Sequence, residues 1–362
     1  MIEFDFELLA ALGLTPAMAS RATALDVSES ASRQLLRITE VHRESVRVHD
    51  GVDELSARPL PGLTRSLLEE GTALAVGDWV LAAEDAHHQS WVELRVPPLS
   101  HIARRDGDGR RHPVVSNVDT ALLVMGLDDD FNPRRLERYL ALVHGDAIVP
   151  VVVLTKADVA TPTPEALDLR LDALRGRIPS HIDVIAVDAT DASAAHALRS
   201  YTVRGQTLVA LGSSGAGKST LTNTLLGAQV QDTGAVRAHD SRGKHTTTSR
   251  SLHRLPGGAC VIDTPGLRTL RPDGDESTLA ATFADVDALA AACRFHDCKH
   301  VLEPGCAVRE GVDADRLRNY HKLLREVRRD TQSVLDRQKQ LAQWKVRGRA
   351  TKERMKMKRG EA

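Results

Sequence analysis

Aromatic residues are scarce: five Phe, three Tyr and three Trp make up 3% of 362 residues. A stacking surface for single-stranded bases depends on aromatic faces and has little to draw on here. Cysteine is scarcer still, with four in the chain. Three of them fall between positions 293 and 306, a crowding that in a reducing compartment suggests metal before disulfide. No apolar run approaches the roughly 18 residues of a membrane span. The start, MIEFDFELLA, carries acids where a signal peptide has Lys or Arg. Together these shortages argue against a disulfide scaffold, a spanning protein and a secreted one, and the expectation is a cytoplasmic chain.

What is present is an ordinary globular composition, 42% hydrophobic and 27% charged, over a length that calls for more than one core. The net charge of −1 conceals an asymmetry. Arg316 to Ala362 holds 16 Lys plus Arg against 5 Asp plus Glu, a net of +11, so residues 1–315 sum to −12. That end suits a polyanion. No Trp/Phe/Leu face interleaves the terminal lysines, so nucleic acid is favoured over a membrane surface. Arg104, Arg105, Arg110 and Arg111 add a second basic stretch.

The texture changes along the chain. Leu8 to Leu14 reads as a small helix followed by a linker. From Leu35 to about Val96, the short alternating stretches LRITEV, SVRVHDG, GDWVLA and WVELRV predict a small β-barrel, with Trp79 and Trp91 as core candidates. HIARRDGDGRRHPVV (101–115) reads as a loop or linker. Between Val118 and about Leu270 the apolar runs are continuous, as in parallel strands covered on both faces. PRRLERYLALVHG puts Leu136, Tyr139, Leu140 and Val143 on one helical face between two of those runs. ESTLAATFADVDALAAAC then predicts one acid-started helix, and a long polar helical pattern begins near Asp313.

Gly212-Ser213-Ser214-Gly215-Ala216-Gly217-Lys218-Ser219 is a complete phosphate-loop pattern between the strand TLVAL and a helix. Its backbone N–H groups can cradle a β-phosphate, Lys218 can reach the β and γ oxygens, and Ser219 can ligate Mg²⁺, with Thr220 following in the GTP-binding set. Thr155-Lys156-Ala157-Asp158 is similar to the guanine-reading N-K-x-D element. The Asp158 carboxylate can accept from the ring N–H and the exocyclic amine of guanine, an edge that adenine does not present. Asp263-Thr264-Pro265-Gly266 supplies an Asp for Mg²⁺ and a Gly N–H for the γ-phosphate. TKAD precedes the phosphate loop, the reverse of the usual order, so the domain reads as circularly permuted. Gly243-Lys244-His245-Thr246-Thr247-Thr248 lies where a first switch belongs. Its threonines, Thr247 among them, are candidates for sensing Mg²⁺ and γ-phosphate. Leu267 stands where many GTPases carry a water-orienting Gln, which leaves His245 as the candidate for that task or as an exposed switch histidine. Val187-Asp188-Ala189 sits where a base-packing loop belongs.

Cys293, Cys298, His300 and Cys306 form C-x₄-C-x-H-x₅-C, a closed ligand set for one structural Zn²⁺, with His296 as a substitute for His300. Cys260 reads as a buried small residue.

The permuted order, GKHTTT, DTPG, VGDWV (76–80) and YHKLLRE (320–326) resemble the small ribosomal subunit biogenesis GTPase RsgA family over nearly the whole chain. The resemblance implies a multidomain α/β protein: an N-terminal extension (1–30), an OB-fold-like barrel and linker (31–112), a permuted GTPase domain (113–273), a helical zinc-binding domain (274–345) and a basic tail (346–362). It places the family's zinc ligands on the same Cys₃His set. It implies a monomeric GTP hydrolase that binds GTP/GDP with Mg²⁺, binds the small ribosomal subunit and its rRNA late in assembly, and times its release by hydrolysis. His245, Lys218 and Thr247 are the catalytic candidates. The chain departs at Thr155, where the family more often has Asn, and this bears on the side-chain link from that position to the phosphate loop. Two rivals remain: a GTP-gated rRNA-binding factor with incidental hydrolysis, and an ATP-dependent small-molecule kinase, which Asp158 disfavours.

Overall fold

The structure is a computed structural model that describes residues 2–25, 32–105, 111–144, 148–160, 163–229, 250–264, 271–272 and 276–331. The chain opens with β1 (Ile2–Glu3), α1 (Phe6–Ala10) and α2 (Pro16–Thr23). Asp5 caps α1 and Thr15 caps α2 through side-chain oxygens, and Pro16 begins α2 with its φ already helical. The expected single helix and linker is therefore a helical pair. Leu9, Leu12, Leu14, Met18 and Ala22 are buried in the largest apolar core. Each of the larger side chains contributes roughly 1.5–3 kcal/mol relative to exposure.

The barrel consists of β2 (Arg33–Val41), β3 (Val46–His49), β4 (Glu54–Pro59), β5 (Trp79–Glu84) and β6 (Ser90–Arg95), with α3 (Pro61–Glu69) between β4 and β5. It runs β2-β3-β4-β6-β5 and closes through a β5–β2 pairing, so five strands leave no free edge in the ring. Alternation explains its two-sided burial. Leu36, Ile38 and Val80 fill the barrel core, while Leu35, Trp79 and Leu81 on the opposite face join the core shared with the N-terminal helices and the following domain. Trp79 is wholly buried, whereas Trp91 is half-buried and donates its Nε1 to Asp85 Oδ2 at 2.9 Å.

Residues 101–115 were expected to be a linker, but β7 (His101–Arg105) and β8 (Arg111–Ser116) pair antiparallel as a hairpin. The apolar positions Ile102, Val114 and Val115 are buried, and that burial outweighs the basic, Gly-containing sequence that makes the segment read as irregular. Next come β9 (Thr120–Gly126), α4 (Pro133–Val143), β10 (Val149–Thr155), α5 (Ala157–Ala160), α6 (Pro164–Arg175), β11 (Asp183–Ala186), α7 (Ser193–Ala197), β12 (Thr207–Leu211), α8 (Lys218–Leu226), β13 (Ser251–Arg254) and β14 (Cys260–Asp263). The sheet order is β11-β10-β9-β12-β14-β13, parallel except for β13. Its central strands are buried along their length, as their unbroken apolar runs require. Ser251 of β13 pairs with Glu40 of β2, which makes sheet and barrel one continuous surface. Cys260 is wholly buried in the sheet, as the sequence suggested.

After β15 (Arg271–Pro272), which pairs with β7, the C-terminal module comprises α9 (Glu276–Thr282), α10 (Ala284–Ala290), α11 (Ala307–Gly311) and α12 (Ala314–Thr331). The single helix expected over 276–293 is broken at Phe283, whose φ of −116° and ψ of 46° leave the helical region. The break lets this wholly buried ring meet Tyr320 edge-on at 5.4 Å and lie beneath the Arg316 guanidinium at 4.6 Å. Among the described residues no helix is long and apolar enough to cross a membrane.

Candidate functional site

Chain order runs β9, β10, β11 to one side of the sheet and β12, β14 to the other, so the order reverses between β9 and β12. A crevice opens at the carboxyl ends of strands at such a reversal. Here those ends carry the chemistry. Thr155–Asp158 follow β10, Val187–Ala189 follow β11, Gly212–Ser219 follow β12, and Asp263 closes β14.

The phosphate loop is shaped by its neighbours as well as by its glycines. A Cβ on Gly212 would lie 2.3 Å from the Val124 carbonyl oxygen of β9. Gly217 has φ +87° at the N-cap of α8, and a Cβ there would crowd the Thr155 side chain. The loop therefore packs directly on the two adjacent strand ends. Thr155, which stands where the family more often has Asn, still makes a link: its Oγ1 donates to the Ala216 carbonyl at 2.7 Å. Lys156 has φ +61° and pairs its Nζ with Asp128 at 2.6 Å. Asp158 is exposed in the first turn of α5. The neighbouring Ala157 N–H donates to the Val187 carbonyl at 3.4 Å, which brings the two loops after β10 and β11 together.

Lys218 is folded back over the loop, donating to the carbonyls of Gly212 (3.0 Å) and Ser213 (2.7 Å). Burial lowers its pKa below the ordinary lysine value, against the opposing charges of Asp263 and Asp130. Burial likewise raises the Asp263 carboxyl, with Lys218 acting the other way. Both groups would gain from a bound polyphosphate and a divalent cation. Asp263 Oδ2 lies 3.4 Å from Ser219 Oγ, and Asp263 Oδ1 is buried without a hydrogen-bond partner. An orphan carboxylate oxygen beside a hydroxyl fits Mg²⁺. Thr264 Oγ1 donates to the Ala210 carbonyl at 2.6 Å and fixes the chain as it leaves β14. His245, Thr247, Pro265, Gly266 and Leu267 lie outside the described residues, as do Arg110 and the basic tail.

Sequence reasoning passed over Asp128 and Asp130, which follow β9 at the same edge. The signal was available: an acidic run directly after a buried parallel strand. Asp130 Oδ1 accepts from Ser213 Oγ at 2.5 Å and from Arg135 at 2.7 Å.

The second cluster lies in the C-terminal module. Cys293 Sγ is 3.9 Å from Cys306 Sγ and 3.6 Å from His300 Nδ1, and Cys306 Sγ is 3.4 Å from that nitrogen. With Cys298, all four ligand atoms lie within 4.8 Å of one another. Ligands about 2.0–2.3 Å from a tetrahedral centre have separations of this size, so the donor set fits Zn²⁺ without an open position. His300 has φ +58°, and its carbonyl accepts from His321, which fixes the turn that presents Nδ1. His296 is exposed and stands outside the cluster.

A family model described as RsgA GTPase matches residues 97–272. Proteins named small ribosomal subunit biogenesis GTPase RsgA from Xanthomonas campestris pv. campestris and Xanthomonas axonopodis pv. citri are each 47% identical over 299 residues, 80% of this chain and 80% of theirs. Among solved structures, YjeQ from Thermotoga maritima superposes with a TM-score of 0.58 at 22% identity, covering 82% of this chain and 98% of that one. YloQ, a circularly permuted GTPase, gives 0.56 at 21%, covering 85% and 100%.

Proposed function

The chain belongs to the RsgA GTPase family, and from that premise we propose that it hydrolyses GTP while bound to the small ribosomal subunit late in that subunit's assembly, with hydrolysis timing its release. The observation that carries this reading is the convergence of Thr155–Asp158, Gly212–Ser219 and Asp263 on one edge of one sheet. Asp158 reads guanine. Gly212 to Thr220 and Gly266 hold the phosphates with Lys218, while Ser219 and Asp263 would hold a Mg²⁺, which would supply positive charge against the phosphates. Thr247 senses that end of the nucleotide, and His245 orients the attacking water.

Cys293, Cys298, His300 and Cys306 hold one structural Zn²⁺, a role supported by their compact donor set. The barrel, the hairpin and the net +11 C-terminal stretch face rRNA through phosphates and shape, in keeping with the shortage of aromatics. We assign the domains as 1–30, 31–112, 113–273, 274–345 and 346–362, in a cytoplasmic monomer.

Steady-state turnover with and without isolated small subunits tests the proposal. Alone, the protein should turn over on the order of 10⁻³ s⁻¹, as small GTPases do without an activator, and subunits should raise this strongly. His245→Ala should abolish the stimulation with nucleotide affinity nearly intact. Turnover indifferent to subunits would leave hydrolysis incidental to rRNA binding, and full stimulation in the variant would free His245 from the water.

A further inference from the structure

A phosphate loop is held in most proteins by its own strand and helix. In this chain it has a further side-chain anchor besides Thr155 on the Ala216 carbonyl. Asp130 lies in the turn between β9 and α4, with its side chain 15% exposed. Its carboxylate is fully engaged: Oδ1 takes the Ser213 hydroxyl at 2.5 Å and the Arg135 guanidinium at 2.7 Å, and Oδ2 takes the Gly126 N–H at 3.2 Å. Arg135 closes the turn by donating to the Asp130 carbonyl at 2.8 Å. Ser213 is also the residue whose carbonyl accepts from Lys218 Nζ at 2.7 Å. One residue of the loop is thus held from both ends, its carbonyl by the phosphate-facing lysine and its hydroxyl by Asp130.

Both carboxylate oxygens of Asp130 already take protein donors, and its negative charge suits it poorly to direct contact with a polyphosphate. We propose that Asp130 is a positioning residue for the phosphate loop, holding Ser213 so that the loop amides and Lys218 are set for phosphate before the nucleotide arrives. Arg135 keeps the carboxylate aimed, and α4 supplies the rigid base. That helix starts on Asn132, whose side chain caps it through Arg135 N–H at 3.2 Å. The reference frame extends further. Arg138, one turn along α4, makes a bidentate pair with Glu326 of α12 at 2.5 and 3.0 Å, so the anchor is tied to the C-terminal module as well as to the sheet. A preformed loop binds more tightly because less ordering is left to do on association.

The inference rests on this loop binding GTP and GDP, and the test separates the two. Full-length wild type, Asp130→Ala, Ser213→Ala and the double variant are titrated with N-methylanthraniloyl-GDP, and KM and kcat for GTP are measured alongside. Each single variant should weaken GDP binding about tenfold, the scale of one charge-assisted hydrogen bond. KM should rise in step and kcat should stay within about twofold, since uniform binding is what is lost. The double variant should be no weaker than either single one, because both remove the same bond. Asp130→Asn, which keeps an acceptor for Ser213, should recover part of the loss. Wild-type affinity in either single variant, or additive losses in the double, would overturn the proposal. A lowered thermal melt with unchanged affinity would make Asp130 a structural residue only. Failure of the wild type to bind the labelled GDP would instead count against the GTPase reading itself.

Discussion

Around the crevice, β9, β10, β12 and β14 lie inside a sheet whose apolar side chains are buried on both faces, and loop geometry follows from strand ends. The C-terminal module is held differently. Its core is small, built on Phe283, Leu279, Val286 and Leu323, and two further supports, beside the Arg138–Glu326 pair, are polar. One is the Cys₃His cluster, which would brace the module once it holds a metal. The other is Glu137 of α4, wholly buried, which takes Arg177 at 2.9 Å, Arg316 at 2.9 Å and Asn319 at 2.5 Å. Arg316 continues to Asp285 at 2.7 Å and to the Thr282 carbonyl at 3.1 Å. Hydrophobic burial is spread over many side chains and degrades gradually, whereas a buried ionic cluster or a metal site depends on every member. The crevice should therefore tolerate distant substitutions that detach the module.

The largest effect should come from the cluster. Cys298→Ser removes a ligand from a site whose metal can contribute on the order of 10 kcal/mol to folding. The expected outcome is one zinc per wild-type chain by elemental analysis, none in the variant, and loss of the module's melting step while the crevice still binds GDP. Zinc-free wild type, or an unchanged melt, would remove the metal from the comparison.

Asp158→Asn examines the other region without disturbing its scaffold. Asp158 is exposed and supports no core, so the melt should not move. Preference should pass from guanine to xanthine, whose oxo group replaces the amine. Unpaired polar groups in a base site can discriminate by as much as roughly 10⁴-fold. Competition in which wild type binds ATP and GTP equally would count against the assignment.

Glu137→Ala joins the two regions. It leaves the buried Arg316 guanidinium with Asp285 as its one remaining carboxylate and takes the shared acceptor from Arg177 and Asn319, a defect on the order of 3 kcal/mol. Hydrogen exchange should accelerate across 276–329, with nucleotide affinity nearly unchanged. Equal acceleration in β9 and β12 would mean that the regions are one cooperative unit.

The smallest effect concerns the joint between barrel and sheet. Burial pushes the Asp78 carboxyl up to about 6 from the ordinary 3.8, Arg95 acting the other way. The native state therefore holds this proton more tightly than the unfolded chain does. Its contribution to stability falls as pH rises from 3.8 to about 6 and is constant above that. Asp78→Asn keeps an oxygen for the Ala75 N–H and loses the titration. Relative to wild type, the variant's stability should rise between pH 4 and 6 and then level off. A difference flat across that range would show that the carboxyl does not titrate there.

The sequence alone determined the pieces that depend on local chemistry. A phosphate loop needs glycine at fixed spacing and a following Lys-Ser. A closed zinc set of three thiolates and an imidazole can lie close along the chain. Parallel strands covered on both faces need unbroken apolar runs, and the order TKAD before GSSGAGKS announces permutation. It misread places where distant burial overrides local pattern: the hairpin at 101–115, closed by Ile102 and Val115, and the helix broken at Phe283 so that its ring can pack under Arg316. Only the tertiary structure decided that Thr155 still reaches the Ala216 carbonyl, that Asp130 grips Ser213, and that Glu137 binds Arg316 from 179 positions away. These contacts join strand ends and helices far apart in the chain, so no periodicity records them; the first two arise where the sheet order brings the carboxyl ends of β9, β10 and β12 side by side, the third where α12 packs on α4.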